Sequence, residues 1–161
     1  MKSLKNWASN PQQKIKVPFI LLVLRLFLGG VFVYAGWGKL MAPIENFVAI
    51  IEAYQFLKPP FTWLVGNIVP WLELIFGMFL TLGFLTRTSA ASLTVFLVVF
   101  ISLLLRSISL HLPISECGCF GAGITLAPWQ ALILDAGLLI ISLIMIWSRP
   151  RLLSLDEKLH K

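Results

Sequence analysis

Four long apolar runs constrain this chain more than anything else in it: Val17 to Met41, Thr62 to Leu85, Ser89 to Leu110 and Pro128 to Ser148, of 25, 24, 22 and 21 residues. Each meets the roughly 20 residues that an α-helix needs to cross about 30 Å of hydrocarbon. Soluble domains run at roughly 45 to 50% apolar residues. At 58% hydrophobic and 161 residues, this chain could not hide all four runs in one core. Two cysteines are too few for a secreted disulfide scaffold, and the hydrophobicity excludes a disordered chain. The fold class is therefore an all-α integral membrane protein, a four-transmembrane-helix bundle (17–148) between two basic tails, 1–16 and 149–161. The first run is too long for a signal-peptide core and lacks a small-residue cleavage site, so it reads as a retained helix.

The net charge of +6 is explained by where the basic residues lie. Outside the spans, nine Lys and Arg sit in the two tails and, as Arg87, in the second loop; only Lys58 lies in the first or third loop. That bias places both termini in the cytoplasm and the longer loops outside, and it argues against nucleic acid as a partner. Trp63 and Trp129 open their spans on the outer side and Trp147 closes the last on the inner side, as interfacial anchors do. In the first outer loop Ile44, Phe47, Val48, Ile51 and Tyr54 recur at helical spacing between Pro43 and Pro59-Pro60, with Glu45, Glu52 and Lys58 on the other face. The pattern predicts a short amphipathic helix that lies on the outer surface or lids the bundle.

Five ionisable residues fall inside the spans: Arg25, Lys39, Glu73, Arg106 and Asp135. A charge at the bilayer centre costs roughly 2.5 to 3.5 kcal/mol on the mildest scale, so these should face the interior and find partners. Counting about 1.5 Å per residue from the outer ends, Asp135 lies about 10 Å in, Glu73 nearer the middle, and Lys39 and Arg106 near the outer boundary. Depth alone allows two pairs, Arg106 with Asp135 and Lys39 with Glu73, and leaves Arg25 nearer the cytoplasm. Either these charges join helices or they serve chemistry. In the first span Gly29, Ala35, Gly36, Gly38 and Ala42 make a small-residue surface for close helix packing, or alternatively for a flat ring.

Both cysteines sit in the third loop as Cys117-Gly118-Cys119, on the oxidising side by this topology. A bridge across one residue closes too small a ring to stabilise much, and such bridges are strained and readily reduced. Redox chemistry is the leading reading of the pair. A metal held by both thiolates with His111 or Glu116 is the chemical alternative.

The chain resembles the DoxX-like membrane proteins, and among them the MauE branch. The likeness runs through Arg25 with Gly29 and Gly30, Ala35-Gly36, Gly38-Lys39-Leu40 and Pro43, Pro70 with Glu73 and Gly77, Cys117-Gly118-Cys119-Phe120-Gly121, and Trp129 with Asp135. The cysteine run is its specific part. The resemblance implies thiol redox outside the cytoplasm, in the bacterial inner (cytoplasmic) membrane, beside a thioredoxin-like partner that serves maturation of a disulfide-rich protein. DoxX relatives are linked to sulfur compounds and quinone. DsbB and vitamin K epoxide reductase are similar in layout, but they use two cysteine pairs where this chain has one, so a second pair would have to come from the partner.

These readings combine into a membrane thiol:disulfide oxidoreductase exchanging electrons between an extracytoplasmic thioredoxin-like partner and a membrane quinone. A redox-active Cys117–Cys119 disulfide is catalytic; Arg106, Lys39, Glu73, Asp135 and Arg25 give charge or proton support; Gly36, Trp37, Glu73 and Trp129 hold the quinone, and no resident metal is expected. The alternatives are a non-catalytic membrane subunit or assembly factor, and a small-molecule or metal carrier, which would need several copies to assemble into an oligomer.

Overall fold

The computed structural model describes residues 11–110, 118 and 126–147. Five helices follow in order: α1 (Pro11–Met41), α2 (Ile44–Ala53), α3 (Phe61–Leu82), α4 (Thr86–Ser109) and α5 (Pro128–Trp147). All but α2 contain a stretch long and apolar enough to span a bilayer, which in α1 is Phe19–Met41. The protein is a four-span helical membrane protein. α1 begins at Pro11, before its apolar stretch.

α3 stops three residues short of the hydropathy boundary at Leu85. Gly83 adopts φ 75°, and the chain reverses through hydrogen bonds from Gly83 N to Leu80 O (3.2 Å) and from Phe84 N to Phe79 O (2.9 Å). This is the paired closure that glycine's left-handed freedom permits at a helix end. The Phe79 and Phe84 rings meet edge to face, 5.4 Å apart, completing it with an apolar contact. Hydropathy reads Phe84 and Leu85 as more span, whereas the glycine ends the helix. At the same end Arg87 donates to Ile146 O at 3.1 and 3.3 Å, satisfying a carbonyl of the last turn of α5.

α1 and α3 form the closest helix pair. A Cβ added at Gly36 would lie 2.8 Å from both Leu74 N and Pro70 O, and one at Gly77 2.9 Å from Val33 N. Without Cβ atoms the two backbones touch directly, the gain small residues bring where apolar burial cannot drive association. α4 and α5 join differently: the hydroxyls of Thr94 and Ser142 are hydrogen-bonded to each other and lie 2.8 and 3.0 Å from Ala90 O, so that one hydroxyl donates to the carbonyl and the other to its partner's oxygen. Leu28, Phe32, Leu80, Leu93, Leu97 and Met145 pack the core between the two pairs.

The amphipathic pattern of the first loop becomes α2, a lid on the bundle. Phe47, Val48 and Tyr54 are buried while Glu45 and Glu52 stay exposed. Thr62 at the start of α3 donates to Glu52 at 3.0 Å, and Val48 fits against Gly66, where an added Cβ would lie 2.8 Å from its Cγ2.

Candidate functional site

Lys39 lies two residues before the end of α1, and Glu73 lies halfway along the antiparallel α3. Cα–Cβ bonds tilt toward a helix's N-terminus, so Lys39 leans back into the bundle and Glu73 leans up toward the α2 end. They meet: Lys39 Nζ donates to Glu73 Oε1 at 2.8 Å and to Oε2 at 2.7 Å. The residues are 3% and 1% exposed. Phe47 of α2 and Phe100 of α4 close over the ammonium, each ring centroid 5.0 Å from Nζ. Two charge-assisted bonds and two aromatic faces thus compensate a cation removed from water.

The second pairing allowed by depth does not form. Arg106 is exposed in the last turn of α4, and Asp135 is buried in α5. Depth is one coordinate, and the rotation of each helix about its axis decides the other. Asp135 instead shares with Glu73 a cavity of about 20 Å³, bounded also by Val31, Ala35, Leu97 and Phe100. That is room for about one water, and two carboxylates supply the polar partners one needs. Arg25 is 2% exposed, buried within α1. Arg25 and Asp135 both make contacts, although Arg25 Nε and Nη1 and Asp135 Oδ2 have no hydrogen bond.

Gly36, Trp37, Glu73 and Trp129 do not surround a common space. The glycine surface expected to admit a ring is filled by the backbone of α3. Trp37 and Trp129 are 55% and 60% exposed, on the outside of the bundle, whereas Gly36 is buried against α3 and Glu73 is buried in the interior. The larger opening lies elsewhere, between α2, α3 and α4: an almost wholly carbon-lined cavity of about 160 Å³ bounded by Phe47, Ile51, Val69, Phe96, Phe100 and Leu103 among others. Phe100 borders both cavities. Sequence reasoning missed Phe100 because it sits in an uninterrupted apolar run, where a cavity wall and a lipid-facing side chain look alike. Phe47 was legible only as part of the buried face of α2.

Cys117 and Cys119, with His111 and Glu116, lie outside the described residues. Gly118 between the cysteines is described: it is buried, with φ 70°, and an added Cβ would lie 2.8 Å from Ile50 Cγ2. α2 therefore presents Ile50 to Gly118 while Phe47 and Ile51 face the larger cavity.

Fold and site together define a small four-span membrane protein whose lid helix covers a buried Lys–Glu pair. The family model of the methylamine utilisation protein MauE matches residues 17–148, and the chain belongs to this family. No curated protein and no solved structure matches it significantly.

Proposed function

We propose that the chain is a membrane thiol:disulfide oxidoreductase, passing electrons between a thioredoxin-like partner outside the cytoplasm and a membrane quinone through Cys117 and Cys119. The observation that supports this best is the anchoring of Gly118 on Ile50. It ties the residue joining the two sulfurs to the helix that covers the buried charges. The excess of Lys and Arg in the tails supports an extracytoplasmic location for this end, with both termini in the cytoplasm of a bacterial inner membrane.

A partner thiolate attacks one sulfur of the Cys117–Cys119 disulfide, breaking that bond, forming a mixed disulfide and releasing the other cysteine as thiolate. The partner's second thiol resolves the mixed disulfide; the partner leaves oxidised and the chain holds a dithiol. Two electrons and two protons then pass to the quinone substrate, which leaves as quinol while the Cys117–Cys119 bond re-forms. Arg106, exposed in the last turn of α4 just before the cysteine loop, is the cation best placed to favour a thiolate. Glu73 and Asp135, converging on one water-sized cavity, are the carboxylates suited to carrying the protons.

The test uses the full chain in lipid nanodiscs with a reduced thioredoxin-fold donor and a short-tailed benzoquinone, following quinone absorbance. Cys119→Ala should reduce the rate to the background of empty nanodiscs. Equal rates for variant and wild type would remove the enzymatic reading. The second reading, a non-catalytic assembly subunit, draws on the direct α1–α3 backbone contact, which holds the bundle without the cysteines. It requires function to survive replacement of both cysteines and to fail in Gly36→Leu.

A further inference from the structure

We propose that the cavity between α2, α3 and α4 binds the ring of a neutral, single-ring molecule dissolved in the bilayer. The lining is almost wholly carbon, so a charged or strongly polar head would lose its hydration and gain little in return. Lys39, behind the Phe47 and Phe100 rings, already donates to both oxygens of Glu73, so it offers an anionic ligand no free partner. Size narrows the class further. A dry cavity of about 150 Å³ lined by Leu, Ile and Phe accepts benzene, and this one measures about 160 Å³.

Four phenylalanines, Phe47, Phe56, Phe96 and Phe100, line the space with Tyr54. Edge-to-face and offset contacts with such walls favour a flat ring over a methylene chain, and a rigid ring loses less conformational freedom on entry. Val99 and Phe56, both exposed, mark the mouth toward lipid. The inner wall matters as much: Phe100 lines both this space and the cavity of Glu73 and Asp135. A bound ring therefore stands one phenyl group away from two carboxylates and, across α2, one helix away from Gly118. The quinone of the proposed reaction belongs to this ligand class. Any part the site plays in turnover rests on that reading, whereas binding itself does not.

The experiment separates the two. A photoreactive azido-benzoquinone with a ten-carbon tail is bound to the full-length Cys117→Ser/Cys119→Ser variant in nanodiscs, and labelled peptides are identified by mass spectrometry. The label should fall on α2, α3 and α4 wall residues, be displaced by unlabelled benzoquinone and not by oleic acid, and weaken at least tenfold in Val69→Trp, with Leu103→Trp as a second filling variant. Label spread equally onto Ile133 and Ile140 of α5, or displaced equally by oleic acid, would overturn the site in favour of ordinary lipid contact. With the cysteines intact, binding without turnover would refute the redox reading and leave the site standing. Turnover untouched by a folded filling variant that has lost the label would refute the site's part in turnover and leave the redox reading standing.

Discussion

Replacing Glu73 by Leu removes both hydrogen-bond acceptors of an ammonium whose side chain is 0% exposed. Hydrogen bonds to charged groups contribute about 1.5 to 3 kcal/mol each, so the two lost bonds predict roughly 3 to 6 kcal/mol. Breaking a buried ion pair from one side costs about 3 to 5 kcal/mol, which agrees. The Phe47 and Phe100 faces remain, worth about 0.5 to 2 kcal/mol each, but they already act in the wild type and so do not offset the loss. Glu73→Leu and Lys39→Met should each destabilise by about 3 to 5 kcal/mol, whereas the double variant, which leaves no lone charge, should fall within about 1 kcal/mol of wild type or exceed it. The assay is unfolding in mixed micelles by dodecyl sulfate titration, read by circular dichroism, with the four proteins forming a cycle. These costs imply a coupling of at least about 5 kcal/mol. Additive costs, with the double variant the least stable of the four, would refute a mutually dependent pair.

Gly36→Leu should prevent α1 and α3 from closing, since even one added carbon meets backbone at 2.8 Å; a cost of at least about 1 to 3 kcal/mol is expected in the same titration, against no loss and a gain of up to about 1 kcal/mol for Gly30→Ala, inside the same helix, whose added Cβ meets nothing within 4 Å. Gly118→Ala places a side chain at φ 70° and against Ile50, so amide exchange in α2 should speed up by roughly tenfold, for a strain of about 1 to 2 kcal/mol. Exchange unchanged in α2 would separate the cysteine loop from the lid. A membrane-impermeant maleimide applied to reduced, intact spheroplasts should label Cys117 and Cys119; protection until lysis would reverse the topology on which the redox reading stands.

Much of the architecture is legible from residue type and spacing. Hydropathy finds four spans because in a bilayer every backbone polar group must bond within its own helix, which makes length and apolarity nearly sufficient. The period of Phe47, Val48 and Tyr54 finds α2 for the same kind of reason: one face of a helix meets apolar surroundings and the other water. The Lys39–Glu73 pair is also anticipated, since buried charges must find each other and depth follows from counting residues. The span ends are less legible, because Gly83 acts through backbone conformation and hydropathy is blind to it.

What counting residues leaves open is rotation and neighbourhood. Arg106 and Asp135 are compatible in depth, yet one faces outward and the other inward, and Asp135 shares its cavity with Glu73 instead. The ring-sized space exists only in the folded chain, where Phe47, Val69 and Phe100 come from three helices to surround one void. In the linear chain each is one more apolar residue. Burial in lipid and burial in protein demand the same chemistry of a side chain, so only the packing of helix against helix distinguishes a wall from a surface.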